Sequence, residues 1–325
     1  MALCDRLEQQ TSDQLEAHET LVDTLLGTLT QSENATELAD NWARLAAHFD
    51  TLFTTEQSID KLRQTVLQLG MMGALTESHH DLMPPPNSLE TLRAEKEEIA
   101  RKTQMKAPKT PAESSADETP YRLPNSWLWA RVGDVIALKH GYAFKSSYFS
   151  ENEGPLVLTT PGNFHEKGGF RDRGVKTKYY EGPVDEEFVL KAHDLIIPMT
   201  EQAPGLLGSA AFIPEDGKVY LHNQRLGKLL FNKAHFDPRF IYWFFNSKLL
   251  RNELARTCSG TTVRHTSPAK VAAAFIPVPS IRTQKEIVKK IDELTALCDQ
   301  LKERLNQASE TRNQLAEAVV EGALN

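Results

Sequence analysis

The two ends of the chain carry the same short segment, and this repeat restricts the fold more than any other feature of the sequence. Residues 2–8 (ALCDRLE) match residues 296–302 (ALCDQLK) at five of seven positions. A second, weaker match follows in the same order and pairs Arg63, Gly73, Ala74 and Leu75 with Arg312, Gly322, Ala323 and Leu324. About 45 extra residues separate the two matches in the N-terminal copy. One helical unit is therefore laid down twice, on either side of a different central body, as in one period of a longer repeating protein.

The C-terminal copy belongs to a long amphipathic helix, predicted over residues 281–325. Its apolar positions are spaced alternately by four and three residues: Ile287, Ile291, Leu294, Cys298, Leu301 and Leu305. This alternation is typical of a coiled-coil seam. A helix that packs only on the core of its own domain is the alternative interpretation.

The first part of the chain is also helical. Apolar residues at helical spacing predict three helices, at about residues 2–30, 36–52 and 55–75. Three prolines at 84–86 then stop any helix, and a highly charged helix is predicted from about residue 89 to 102. Residues 106–120 are rich in Pro, Ala, Ser and acidic residues, which is the composition of a flexible linker.

The pattern of apolar residues and turn residues changes after the linker. Short β-prone runs alternate with Gly-containing turns, and helical spacing returns at 238–257. The sequence therefore predicts an α+β fold, with a mixed α/β domain flanked by long coiled-coil-forming helices. The predicted divisions are a helical region at 1–83, a linker with the charged helix at 84–120, the mixed domain at 121–280 and the C-terminal helix at 281–325.

Charge is distributed unevenly along the chain. The net charge is -7, which does not suit a protein that binds a polyanion. Residues 121–280, however, contain 20 Lys and Arg against 15 Asp and Glu, whereas the rest of the chain contains 17 against 29. The predicted mixed domain is thus the part of the chain expected to face a polyanion.

Several classes of protein are disfavoured. Cys4, Cys258 and Cys298 lie far apart and lack zinc-ligand spacing, which argues for reduced thiols in the cytoplasm and against a structural metal. No signal peptide or membrane span is predicted. The sequence contains neither an Asn-Pro-Pro-Phe/Tyr methyltransferase segment nor a phosphate-binding loop, and the Glu215–Lys218 segment is typical of a turn and not of a nuclease. We therefore expect no catalysis, metal or cofactor in this chain.

Four segments identify a family resemblance. LPNSWLWARVGDV (123–135), HNQRLGKL (222–229), SGTTVRH (259–265) and AFIPVPSIRTQKEIVKKIDELTALCDQL (274–301) resemble segments of the specificity subunits of type I restriction-modification enzymes. The last of the four is the most specific.

This resemblance implies an architecture and a set of partners. Members of the family have two target-recognition domains separated by helical regions that pair as an antiparallel coiled coil. This chain resembles a half-length form with one such domain, either a natural half-subunit or a portion of a longer chain. A half-subunit is expected to pair with a second copy of itself or with another half-subunit and to recognise a bipartite target in double-stranded DNA. The implied protein partners are the modification (methyltransferase) subunit, which uses S-adenosylmethionine, and the restriction subunit, which uses ATP. No membrane partner is implied.

Candidate DNA contacts are the polar and basic residues in the loops of the mixed domain, because Arg, Lys, Asn and Gln contact base edges and Ser and Thr contact phosphates. They are Tyr142, Lys145, Ser146, Thr159, Thr160, Asn163, Arg171, Arg173, Lys176, Lys178, Thr200, Gln202, Asn223, Gln224, Arg225, Thr261, Thr262, Arg264 and His265. The loop that contains Thr261, Thr262 and Arg264 is the favoured one. Taken one at a time, these residues suit surface or turn positions equally well. The competing hypothesis for the whole chain is a non-catalytic coiled-coil scaffold or regulatory protein that binds another protein instead of DNA.

Overall fold

A computed structural model describes residues 2–76, 89–103, 105, 119–201, 203–260 and 264–324. The chain forms two compact units. The helical unit comprises Met1–Thr76 and Lys289–Asn325, and the mixed unit comprises Glu77–Val288. The predicted linker at 106–120 lies almost entirely outside the described residues.

Ten α-helices occur in the described ranges: α1 (Ala2–Gln31), α2 (Ala35–Ala47), α3 (Phe49–Leu52), α4 (Glu56–Met72), α5 (Leu89–Lys102), α6 (Val132–Val135), α7 (Pro238–Phe245), α8 (Lys248–Thr257), α9 (Pro268–Ala273) and α10 (Ile281–Leu324). None of them combines the length and the apolar content that crossing a bilayer requires.

The helical unit is built around α4. Thr55 caps α4 in a reciprocal capping box with Ser58, and Gly73, at φ 80°, ends it in the left-handed conformation. α1 packs on α4 through buried side chains that include Leu26 and Leu29.

The C-terminal helix α10 packs against α4 in the same unit. Arg63 Nη1 lies 3.2 Å from Asp299 Oδ1, and Asn306 Nδ2 donates to Glu56 Oε1 at 2.9 Å. Lys302 also pairs with Asp60. Of the six predicted seam residues, Ile287, Ile291 and Cys298 are buried, and Leu294, Leu301 and Leu305 are half-buried.

All strands among the described residues belong to the mixed unit. They are β1 (Leu128–Arg131), β2 (Ala137–His140), β3 (Phe149–Ser150), β4 (Leu156–Thr159), β5 (Tyr179–Tyr180), β6 (Val189–Leu190), β7 (Leu195–Pro198), β8 (Thr200–Glu201), β9 (Ala211–Phe212), β10 (Val219–His222), β11 (Leu226–Leu230), β12 (Arg264–His265) and β13 (Phe275–Val278). A five-stranded sheet has the order β3-β5-β4-β10-β6, and a four-stranded sheet has the order β2-β11-β7-β9. Two further pairs, β1-β13 and β8-β12, are antiparallel.

The two larger sheets share a core. Phe164, Ile196, Tyr220 and Leu226 belong to one buried cluster, to which both sheets contribute. The aromatic helix α7 is capped by Asp237, whose carboxylate accepts from the backbone N–H groups of Arg239 and Phe240. The buried side chains of α7 contribute to the apolar interior of the mixed unit. The loops at the sheet edges are therefore supported by a closely packed core.

The charged helix α5, which the sequence predicts in the linker region, belongs to the mixed unit and packs on α6 and β2. Arg93 Nε donates to Asp134 Oδ1 at 2.9 Å, and the Asp134 carboxylate is almost completely buried. Asn232 and His235 both contact the carboxylate of Glu95. Some of the charged residues of α5 are thus used in contacts within the mixed unit.

Candidate nucleic-acid interface

Strands β4 and β10 run parallel, with Thr159 in register with His222. Because the carboxyl ends of parallel strands meet at the same edge of a sheet, the loops at 160–163 and 223–225 are neighbours. Loops at such an edge are a common place for ligand contacts in open sheets. We call this edge the loop edge. It comprises the segments 142–146, 160–163, 171–178 and 223–225 and the β8-β12 pair.

The loop after β4 is held by Asn163. The Asn163 side-chain oxygen accepts from the backbone N–H of Thr160 at 2.9 Å, and its backbone carbonyl accepts from Arg171 N–H at 2.7 Å. Asn163 is 3% exposed, so its side chain serves the turn. Arg173 Nη1 lies 3.5 Å from Thr160 Oγ1, which brings a guanidinium onto this loop.

Two lysines stand at the start of β5, beside the same edge. Leu158 N–H donates to the carbonyl of Lys178 at 2.8 Å, which fixes the segment against β4. A 3-10 turn at Gly174–Lys176 precedes it, and both Lys176 and Lys178 are exposed. Val175, at the tip of this turn, is 99% exposed.

The turn between β10 and β11 lies against the segment that contains Tyr142. Tyr142 N–H donates to the His222 carbonyl, and Gln224 N–H donates to the Tyr142 carbonyl, each at 2.8 Å. The Asn223 side chain accepts from Arg225 N–H at 3.0 Å, which leaves the Gln224 and Arg225 side chains exposed at the tip. Lys145 and Ser146 follow Tyr142 and are exposed as well.

Gly141 is required for the close approach of the Tyr142 segment to the β10-β11 turn. A Cβ atom at residue 141 would lie 2.2 Å from the Asn223 carbonyl oxygen and 2.4 Å from that of His222. Both obstructing atoms belong to the backbone and have little room to retreat.

The β8-β12 pair extends the loop edge. Met199 N–H donates to the Arg225 carbonyl at 2.8 Å, and Thr266 N–H donates to the Met199 carbonyl at 3.0 Å. Thr200 is buried, with its hydroxyl 3.2 Å from His265 Nδ1. The side chain of Arg264 contacts Glu201, the Cys258 sulfur and the Ala255 carbonyl, so it is largely used within the unit.

The predicted DNA contacts differ in exposure. The exposed residues are Tyr142, Lys145, Ser146, Lys176, Lys178, Gln224, Arg225 and His265. The half-buried residues are Thr160, Arg171, Arg173, Asn223 and Arg264. The buried residues are Thr159, Asn163 and Thr200. Gln202, Thr261 and Thr262 lie outside the described residues.

Five cations of the loop edge have no carboxylate partner among the described residues: Lys145, Arg173, Lys176, Lys178 and Arg225. Arg171, by contrast, pairs with Glu166 at 2.9 Å, and Arg264 pairs with Glu201 at 3.2 Å. In the same ranges, no three His, Cys, Asp or Glu residues are grouped so that they could hold a metal ion. The chemistry that the loop edge offers is hydrogen bonding and positive charge.

His222 lies buried beneath the loop edge, and it is not among the predicted DNA contacts. It is fully buried, and its Nε2 lies 3.1 Å from the Leu226 carbonyl across the β10-β11 turn. Burial lowers the pKa of His222 to about 3. The ring is therefore neutral at pH 7 and donates from Nε2. Its Nδ1 and the Oγ1 of Thr159 are buried without a hydrogen-bond partner among the described residues.

We expect the mixed unit to lose stability as the pH falls below 6.5. Unfolded His222 takes up a proton near pH 6.5, whereas the folded protein does so only near the lowered pKa of about 3. The free energy of unfolding should therefore fall by about 1.4 kcal/mol per pH unit below 6.5, or about 2 kcal/mol by pH 5. Urea unfolding at pH 7, 6 and 5 measures this. His222→Gln should flatten the dependence and His48→Gln, at an exposed position, should retain it; an equal slope in His222→Gln would contradict the assignment.

The sequence profile described as "Type I restriction modification DNA specificity domain" matches residues 124–310, more than half of the chain. The chain belongs to the type I restriction-modification specificity family. This confirms the resemblance found in the four sequence segments.

Two relatives in this family are the EcoAI and EcoEI specificity subunits of type I restriction enzymes from Escherichia coli. They are 34% and 33% identical to this chain over its full length, and the match covers 55% of each relative. The chain thus spans about half the length of the curated relatives it matches.

A solved structure from work on complex assembly and conformational transition of the type I restriction-modification system aligns with a TM-score of 0.51 and 17% identity. The alignment covers 86% of this chain and 57% of that one. The predicted fold class, a mixed α/β domain with long helices, is confirmed.

Two of the segments that resemble the specificity family lie away from the loop edge. β1 comes from the first and β13 from the last, and the two strands pair from Leu128 with Val278 to Arg131 with Phe275. The Arg131 guanidinium lies 3.7 Å from the centre of the Phe275 ring. These segments join the two ends of the mixed domain, whereas the HNQRLGKL segment forms the β10-β11 turn of the loop edge.

Proposed function

We propose that this chain is the DNA-reading component of a type I restriction-modification complex in the cytoplasm. In this role it binds double-stranded DNA and directs the modification and restriction subunits to a bipartite target. One observation carries the proposal: loops from distant parts of the sequence converge at one edge of the mixed unit, where five cations have no carboxylate partner among the described residues.

The loop edge offers both kinds of contact that a DNA reader needs. Lys145, Lys176 and Lys178 suit phosphates, which supply most of the salt-dependent affinity. Gln224 and Arg225 project from a turn whose backbone is fixed by hydrogen bonds. Their side chains have the donor and acceptor patterns that distinguish adenine and guanine in the major groove.

We propose that the chain itself catalyses nothing. Its contribution is position: it holds the target in a defined register while the partner subunits carry out the chemistry. S-adenosylmethionine would then bind to the modification subunit and ATP to the restriction subunit. Two readers are needed for a bipartite target, and a second copy or another half-subunit would supply the second one, in agreement with the helical ends of the chain.

Methylome sequencing of a host that expresses the chain with its modification subunit tests the proposal. We expect one methylated bipartite motif, and we expect Arg225→Ala to relax the preference at a defined position of that motif. Lys233→Ala, an exposed change outside the loop edge, is the matched control and should leave the motif intact. A complex that assembles but shows no salt-sensitive, sequence-dependent DNA retention would instead support the scaffold hypothesis.

A further inference from the structure

We propose that two copies of this chain associate through a reciprocal contact in which Asp5 of each copy pairs with Arg312 of the other. The proposal deepens the proposed function, because it rests on the pairing of two readers and names the residues that would join them. The sequence repeat and one contact within the helical unit carry it together.

The contact that serves as the template joins the two copies of the repeat. Asp299 belongs to the ALCD segment of the second copy, and Arg63 belongs to the later segment of the first copy. They form an ion pair at 3.2 Å. Cys298, next to Asp299, is only 3% exposed, whereas the Asp299 side chain is 59% exposed, so the template contact borders a packed part of α10.

The repeat assigns an equivalent to each partner. Asp5 corresponds to Asp299, and Arg312 corresponds to Arg63. If the two copies of the repeat interact by one rule, the first segment of copy one should meet the later segment of copy two. That reciprocal contact is Asp5 with Arg312, and it preserves the charge complementarity of the template.

The chain does not make this reciprocal contact by itself. Asp5 and Arg312 are both exposed, and neither has an ion pair among the described residues. Cys4 is likewise exposed, whereas its equivalent Cys298 is buried. One half of a repeated interface is therefore closed within the chain, and the other half is open.

The apolar residues around Arg312 show the same difference. The segments 63–75 and 312–324 align without a gap, so Leu315 corresponds to Val66 and Val320 to Met71. Val66 and Met71 are 2% and 0% exposed, but Leu315 and Val320 are 65% and 59% exposed. An apolar face that is packed in the first copy of the repeat is thus uncovered in the second.

A second copy of this chain is the occupant that fits both open segments. Each copy offers an Asp5 segment and an Arg312 segment, so a two-fold arrangement forms two identical contacts. The partner's Asp5 segment would cover the face around Leu315, as the Asp299 segment covers α4.

Sedimentation velocity of the full chain over micromolar concentrations, without DNA or other subunits, tests the inference. We expect a dimer, and we expect Asp5→Arg or Arg312→Asp alone to raise its dissociation constant at least tenfold. The double variant Asp5→Arg/Arg312→Asp should recover most of the affinity, because both pairs are then reversed. Asp50→Arg, an exposed change of equal charge outside the repeat, should have no effect.

A wild-type chain that stays monomeric, or a double variant that does not recover, would overturn the inference. Leu315→Glu gives an independent check, since it should abolish association while circular dichroism shows the helices intact. The result is separable from DNA reading. If the chain dimerises as described but yields no methylated motif, the contact is supported and the proposed function is wrong. If a monomer reads DNA, the proposed function is supported and the contact is wrong.

Discussion

Gly141→Ala should destabilise the mixed unit by about 3 kcal/mol and abolish target methylation at 37 °C. The added methyl group would overlap backbone atoms of Asn223 and His222, which lie 2.2 to 2.4 Å from the position of its Cβ. Relieving that overlap separates the Tyr142 segment from the β10-β11 turn and breaks the two 2.8 Å hydrogen bonds between them. Chemical denaturation and methylome sequencing of the same variant measure both effects.

Gly154→Ala is the matched control for this prediction. A Cβ atom there would have its nearest contact at 3.7 Å, an ordinary van der Waals distance, and Gly154 is not among the glycines with positive φ. We expect its unfolding free energy to stay within about 0.5 kcal/mol of wild type. Equal stability of the two variants would mean that the approach at Gly141 does not hold the loop edge together.

The triple variant Lys145→Ala/Lys176→Ala/Lys178→Ala should weaken DNA binding by the reconstituted methyltransferase on the order of a hundredfold at physiological salt. If each lysine neutralises one phosphate, the slope of log affinity against log salt should become shallower by about 3. The methylated motif itself should not change, because phosphate contacts carry no base information. Binding titrations at four salt concentrations give both the affinity and the slope.

A second triple variant separates this effect from the loss of net charge. Lys233, Lys248 and Lys285 are exposed lysines of the mixed unit outside the loop edge. Replacing all three with alanine removes the same charge, but we expect a slope change of less than about 1. Equal losses in both variants would show that the chain responds to total charge and that the loop edge is not the DNA-facing surface.

The sequence predicted the long helices well because the signal for them, the spacing of apolar residues, lies within each helix itself. Apolar spacing places the helix that begins near residue 281, and three of its six seam positions, Ile287, Ile291 and Cys298, are buried. The segments that resemble the family also contain the strands β1 and β13, although the amino-acid sequence does not indicate that these two strands pair.

The composition of the loop edge was accessible from sequence, but its geometry was not. Thr159 and Thr200 carry the same hydroxyl as a phosphate-binding residue, yet the sheet buries both of them. The role of His222 depends on a carbonyl across a turn and on complete burial, and neither follows from residue type. The sequence Asn223-Gln224-Arg225 does carry a signal for the geometry of this turn. An Asn at the start of a turn tends to accept a hydrogen bond from the backbone two residues later, which leaves the side chains of the next residues exposed.

The helix α5 forms where its sequence predicts a highly charged helix, but its contacts could not be predicted. The Arg93 contact with buried Asp134 depends on a residue 41 positions away, which no local pattern contains.

The pairing of β1 with β13 has a consequence for how the mixed domain can be exchanged as a unit. The backbone goes into the mixed domain and comes out of it on adjacent, antiparallel strands, from Leu128 with Val278 to Arg131 with Phe275. Recombination at these two strands would replace the whole intervening domain as a cassette while leaving the surrounding helices unaltered. If the mixed domain reads DNA as proposed, such an exchange replaces one specificity with another in a single genetic event.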